Sequence, residues 1–202
     1  SGKRRLKNTL LGYLAHGVPE EVRAGICAQA REATNMTDRL AALALVARWE
    51  WPERGEVLDR FYRDFEDEPL VVNKWFAVQA MAERTGVVEE VEGLLQHPAF
   101  TLANPNRVRS VLGVFAGFNP RGFHRRDGAG YRLIADLARE LDGRNPAVAA
   151  RLAKAFDRWR RFDPARQRLM REQLERLAGT EGLSRDLYEI VHKSLEAAGE
   201  QG

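Results

Sequence analysis

Four histidines, one cysteine and an arginine-rich stretch are the side chains of this 202-residue sequence with the chemistry for metal binding, nucleophilic attack or anion recognition. The histidines are His16, His97, His124 and His192, and no two are spaced His-x-x-x-His, so the helical two-histidine grip on zinc is absent. His192 and Glu196 stand four apart, but two ligands without a third make no zinc site, and a solvent-facing hydrogen bond is expected there. His97 precedes Pro98, where a capping role suffices. His124, beside Arg125 and Arg126, stays as a candidate site residue. Cys27 lies among Gly25, Ile26 and Ala28 and reads as a buried, inert thiol; a single cysteine also excludes an internal disulfide framework. No Gly-x-Ser-x-Gly elbow is present. Gly128-Ala129-Gly130 lacks a following Gly-Lys-Ser/Thr, so it reads as a helix-entry turn rather than a phosphate loop. Arg151, Lys154, Arg158, Arg160, Arg161, Arg166, Arg168 and Arg171, with Trp159 among them, have the density that phosphate contacts want. Helical periodicity scatters them around two helices, and the formal charge of the chain is only +3, so no nucleic-acid partner is expected.

These side chains must be carried on helices. Ala, Leu, Glu and Arg make up 96 of the 202 residues, and Val, Ile and Thr together only 24. Ala and straight-chain residues lose little freedom in a helix, whereas a pleated sheet draws on β-branched ones. Sheet-based enzymes and doubly wound nucleotide-binding folds are therefore excluded. Thr37 and Ser184 read as N-caps, and Pro52, Pro69, Pro105, Pro146 and Pro164 as first-turn prolines. The boundaries predict about eleven helices, near 4–16, 19–34, 37–49, 52–67, 69–84, 86–96, 105–116, 128–142, 146–161, 164–178 and 184–197. At roughly 37 residues per hairpin, that spacing fits an all-α, irregular HEAT/armadillo-like α-α superhelix in a single helical domain, 1–202. The helix at 69–84 is apolar on more than one face and reads as a core element. Gly117 to Gly130 is one long irregular loop, expected to be pinned to the core by Phe118 and Phe123. Charge is uneven: residues 50–68 carry a net −5 and residues 151–176 a net +5. No apolar run approaches the ~20 residues of a membrane span, and no membrane partner is expected. The opening Ser1-Gly2 reads as an expression scar, and the missing initiator Met points to a fragment.

One set of motifs is more specific. Leu94-Leu95-Gln96-His97-Pro98-Ala99-Phe100-Thr101, Asn104-Pro105-Asn106-Arg107-Val108-Arg109-Ser110 and Phe115-Ala116-Gly117-Phe118-Asn119-Pro120 closely resemble the C-terminal helical domain of bacterial aminopeptidase N. The resemblance continues through Phe123-His124, Gly130-Tyr131, Arg144-Asn145-Pro146, Ala150-Arg151-Leu152 and Asp186-Leu187-Tyr188-Glu189. Upstream, Asn35-Met36-Thr37-Asp38 and Lys74-Trp75-Phe76 also fit. It implies a non-catalytic fragment of a zinc metallo-aminopeptidase that removes N-terminal amino acids from peptides. In the family, H-E-x-x-H with a downstream Glu holds the zinc and G-A-M-E-N binds the substrate amino terminus; neither occurs here. Catalytic residues and metal ligands are thus expected in this chain's parent and not in the chain, which is predicted to be inactive alone. The resemblance further implies that the domain closes over the catalytic domain of the same polypeptide and lines the peptide cavity, with Arg109 and Arg151 facing substrate, in a cytoplasmic enzyme. The alternative on the residues alone is a free-standing helical-repeat module that binds a peptide or protein.

Overall fold

Side-chain caps set several of the helix starts. Asn104, Asn145 and Asp163 accept backbone N–H groups from Arg107 (3.3 Å), Val148 (3.2 Å) and Arg166 (3.1 Å), each followed by a proline at the first helical position. The cap satisfies one of the helix's free donors, and the proline lacks another. In the computed structural model, which describes residues 2–15 and 19–196, all regular structure is helical and no strand occurs among the described residues. His16 lies outside them. The chain divides into two compact units, Ser1–Arg84 and Thr85–Gly202. No described helix is long and apolar enough to cross a membrane.

The first unit contains α1 (Gly2–Leu14), α2 (Glu20–Glu32), α3 (Met36–Arg48), α4 (Arg54–Phe65) and α5 (Pro69–Ala80). Helix α3 packs on the other four around Ile26, Leu43, Phe61 and Phe76. Its N-cap is Asn35 and not Thr37: the Asn35 side chain accepts from Asp38 N at 2.9 Å and donates back to the Asp38 carboxylate at 3.1 Å. That reciprocal pair works like a capping box. Cys27 is buried, as expected, and burial pushes its thiol pKa up. The acidic block is answered within the unit: Glu53 pairs with Arg23 (3.3 Å), Asp64 with Arg39 (2.6 Å), and Glu56 with Arg31. Helix α5 ends at Ala80, leaving Met81 exposed, while Trp75 and Phe76 are core and the Trp75 indole donates to Leu58 O at 2.9 Å.

Asp38 ties α1 to α3 through Lys7 Nζ (2.9 Å) and Asn8 Nδ2 (3.0 Å). Lys7 first, then Asn35 and Asn8, hold its carboxyl down to about 2 against an ordinary 3.8. A depressed folded pKa means that the contribution is complete above the unfolded value and lost as pH falls through the folded one. Hydrogen exchange should therefore show α1 protected at pH 5 and progressively unprotected between pH ~4 and ~2. In Asp38→Asn, α1 should already exchange faster at neutral pH.

The second unit contains α6 (Val87–Leu95), α7 (Pro105–Val108), α8 (Val114–Phe118), α9 (Pro120–Phe123), α10 (Ala129–Asp142), α11 (Pro146–Ala153), α12 (Pro164–Ala178) and α13 (Arg185–Glu196). Helix α10 packs against α6, α9, α11 and α12 around Phe115, Phe123, Tyr131 and Phe156. Two expectations fail here. The helix foreseen over 146–161 stops at Ala153 and continues as two 3₁₀ turns, Lys154–Phe156 and Trp159–Arg161. The break lets Phe156 and Trp159, three apart, both turn inward. It also lets the Trp159 indole (3.0 Å) and the Arg160 guanidinium (2.7 Å) donate to Ser194 O, one of the free carbonyls at the end of α13. Phe118, foreseen as a pin, is 68% exposed; of the two phenylalanines only Phe123 is buried. That loop also holds a capped helical turn, α9, because the buried Asn119 side chain accepts from Gly122 N at 2.9 Å and Pro120 follows it.

Candidate functional site

The loop histidine is structural. His124 Nδ1 lies 2.8 Å from the Tyr131 hydroxyl, its ring packs against Phe123 and Phe162, and its carbonyl accepts from Arg166 Nε at 3.1 Å. Burial, then the Arg166 charge, lowers its pKa, and burial pushes Tyr131 up to about 12. A neutral histidine held in an aromatic cluster has packing as its role. His97 caps, with Nδ1 accepting from Ala99 N at 3.1 Å. His192 does not face solvent as foreseen: its ring stacks on Tyr188 at 3.9 Å, and its Nε2 is buried with no protein partner. Among the described residues no group of three or more His, Cys, Asp or Glu side chains could hold a metal ion.

The concave feature with polar convergence lies in the second unit, where a pocket of about 430 Å³ opens between the α7–α8 segment and α11. One wall is built by an unusual backbone. From Arg109 to Gly113 the helix widens to a π turn before resuming as α8. The Ser110 hydroxyl donates to Arg107 O at 2.8 Å, engaging a carbonyl of the last α-helical turn. A π turn swings its side chains away from the ordinary helical register and is a frequent companion of functional sites. Here it carries Arg109 to the pocket wall, with the guanidinium 3.1 Å from Asn106 Oδ1. Gly113 also lines the pocket, next to the Arg109 stem. The other wall is α11, started by the Asn145 cap, whose last turn presents Arg151, with Lys154 just beyond it. Pro105, Val108, Ala116, Val148 and Leu152 supply apolar lining, with Gly117 beside them.

Arg109 and Arg151, 42 positions apart by number, thus line one pocket. Lys154 joins them; the sequence placed it only within the basic run, because nothing local distinguishes it there. No Asp or Glu lines the pocket, and none of the three cations has an ion pair among the described residues. Three other members of the basic run are engaged elsewhere: Arg160 with Ser194 O (2.7 Å), Arg166 with Asp163 (2.6 Å) and Arg171 with Glu175 (2.7 Å). Arg151 and Lys154 also line an adjoining pocket with Asp186 and Glu189; on the side facing Arg109, cations with apolar walls can bind an anionic group that carries apolar substance.

Consecutive helices packed side by side define a helical-repeat protein. The chain belongs to the family described as "Domain of unknown function (DUF3458_C) ARM repeats", whose model matches residues 1–196. It is 44% identical over 193 residues to Aminopeptidase N of Escherichia coli (strain K12), covering 96% of this chain and 22% of that protein. It is 38% identical over 195 residues to Aminopeptidase N of Caulobacter vibrioides, covering 96% of this chain and 23% of that one. A crystal structure of Legionella pneumophila aminopeptidase A in complex with aspartic acid matches with a TM-score of 0.91 and 35% identity, over 96% of this chain and 23% of that one. The resemblance to the C-terminal helical domain of bacterial aminopeptidase N is therefore real, and the chain spans about a fifth of the length of the relatives it matches.

Proposed function

We propose that this chain is the non-catalytic C-terminal domain of a bacterial zinc-dependent aminopeptidase, and that its cationic pocket lines the cavity in which peptides are held. The observation that carries the reading is the meeting of Arg109 and Arg151 in one pocket with no carboxylate in its lining. Their planar guanidinium groups suit substrate carbonyls and carboxylates, which take paired, charge-assisted hydrogen bonds. Zinc and the groups that move protons belong, in this reading, to the catalytic portion of the longer polypeptide. On α1, Leu6, Leu10 and Tyr13 stand exposed along one face, as suits a helix covered by further helices of that polypeptide. A cytoplasmic location, drawn from the resemblance and the single cysteine, is part of the same proposal.

The test uses the full-length polypeptide. Arg109→Ala and Arg151→Ala should each raise KM for peptides by about tenfold, the worth of one charge-assisted hydrogen bond, with kcat nearly unchanged. Zinc content should stay constant in both variants. KM values equal to wild type in both would sink the cavity reading and favour a helical-repeat module that recognises partners elsewhere on its surface.

A further inference from the structure

The segment that carries Arg109 stands in an uncommon backbone form, and two neighbouring side chains hold it there. We infer that Ser110 and Asn106 are positioning residues for Arg109: the Ser110 hydroxyl maintains the π turn, and the Asn106 carboxamide fixes the guanidinium that the turn presents. This rests on the reading of the pocket as part of a peptide cavity.

In an ordinary helix a carbonyl accepts the N–H four positions on, so Arg107 O would take the N–H of Val111. Here the Ser110 hydroxyl donates to that carbonyl at 2.8 Å, from a side chain only 7% exposed. A buried hydroxyl needs a protein partner. A serine that bonds back along its own helix competes with the backbone ladder and bends it. The competition falls where α7 gives way to the π turn, Arg109–Gly113. At the far end of that turn the N–H of Val114 donates to Arg109 O, five positions back, and the helix resumes as α8. Successive residues of an α-helix are turned by about 100°, so a return to the ordinary register would rotate one side of the segment against the other by about that angle. Helix α7 is fixed by its Asn104 cap and α8 by the buried Phe115, so the residues between them give way, Arg109 first. The second device acts on the head group. Arg109 Nη2 donates to Asn106 Oδ1 at 3.1 Å, and Asn106 is itself placed by donating its backbone N–H to the Asn104 side chain at 3.0 Å. A long arginine side chain loses rotamer freedom when it binds, and a hydrogen bond made beforehand reduces that loss. Arg151, on the regular last turn of α11 opposite, has no such partner among the described residues.

Double-mutant cycles on steady-state hydrolysis of Ala-Ala-Leu by the full-length polypeptide test this. Ser110→Ala and Asn106→Ala should each raise KM by about three- to fivefold, the worth of one hydrogen bond, with kcat nearly unchanged. In an Arg109→Ala background neither should raise KM further, because each acts through that arginine. In an Arg151→Ala background each should keep its full effect. Ser110→Thr retains a hydroxyl that can bond back to the Arg107 carbonyl and should bring KM to within about twofold of wild type. Ser110→Ala removes a single oxygen and Asn106 is exposed, so both variants should fold. A purely structural role would lower kcat together with the thermal melt and would persist without Arg109. If Arg109→Ala raises KM while Ser110→Ala and Asn106→Ala do not, or if their effects survive in the Arg109→Ala background, this inference falls and the cavity reading stands. A Ser110→Ala protein that fails to fold would assign that residue to stability and overturn its part. If Arg109→Ala itself leaves KM unchanged, both readings fall together.

Discussion

Replacing Gly130 with alanine should destabilise the second unit by about 3 kcal/mol or more, the upper range for overpacking a filled site. A Cβ on Gly130 would stand 2.5 Å from the carbonyl oxygens of both Gly122 and Phe123 and 2.8 Å from Phe123 Cα. These are backbone atoms, so no rotamer change relieves the clash and one of the two segments must move. Neither is free to do so. The α9 turn is held by the Asn119 cap, by Phe123 packed edge-on against Phe115 and Tyr131, and by Arg166 on His124 O. Arg125 fastens the following residues to Glu89 (2.7 Å) and Asp127 (2.9 Å). Gly143 is the control: it has a helical φ of −70° and nothing within 4 Å of a built Cβ. Gly143→Ala should be neutral or slightly stabilising through the unfolded chain. Thermal unfolding should show Gly130→Ala melting about 10 °C or more below wild type. A melt within about 2 °C of wild type would mean that the two segments are not in rigid backbone contact.

The same glycines explain what could and could not be foreseen in the loop from Gly117 to Gly130. Its glycine content marks a place where backbones must approach, and the structure shows that approach at Gly122 and Gly130, with a left-handed turn at Gly128 (φ 73°). The helix starts at Pro105, Pro146 and Pro164 were legible because a cap and a proline act locally, within four residues of each other. Asn35 was missed in favour of Thr37 because both residues can cap, and only the position of Asp38 decides between them. The end of α11 at Ala153 was illegible because its cause lies about 40 residues away, in the carbonyls of Ser194 and Leu195 that Trp159 and Arg160 reach. The exposure of Phe118 has the same character, since burial is a tertiary outcome and hydrophobicity alone does not confer it.

The candidate site divides along similar lines. Arg109 and Arg151 came from the family resemblance, which carries tertiary information that no local pattern holds. Lys154 came only from the structure, because its place in the pocket depends on α11 giving way to a 3₁₀ turn just where it stands. The π turn that orients Arg109 leaves no signature in residue type: Arg-Ser-Val-Leu-Gly is compatible with an ordinary helix, and the register shift shows only in the hydrogen bonds. A pocket made by two departures from α-helical geometry is thus invisible to helical periodicity.

The second large effect is expected at Asp142, the last residue of α10, which is 7% exposed. Its carboxylate accepts the backbone N–H of Ser184 at 2.7 Å and also the Ser184 hydroxyl, whose oxygen in turn accepts from Leu187 N at 3.2 Å. One acid thereby orders the cap of α13, whose first N–H groups lack helical partners and whose dipole favours a negative charge nearby. Asp142→Ala removes both bonds and leaves the Ser184 N–H and hydroxyl without acceptors in a part-buried place. A loss of about 3 kcal/mol is expected, since hydrogen bonds to a charged group are each worth about 1.5–3 kcal/mol. Asp142→Asn keeps a carbonyl oxygen for the N–H and should cost less than half as much. Ser184→Ala should lie between them, because it removes the hydroxyl and the Leu187 cap but leaves the N–H bond to the carboxylate. In a double-mutant cycle the two alanine changes should couple by about 1–2 kcal/mol, as members of one network do. Strict additivity would show that Asp142 acts through bulk electrostatics and not through the cap. Because α13 packs against α11, hydrogen exchange in Asp142→Ala should rise first at the start of α13 and then along α11. Arg151 sits on the last turn of α11, so under the proposed cavity reading the variant should also raise KM for peptides although it is remote from the pocket lining.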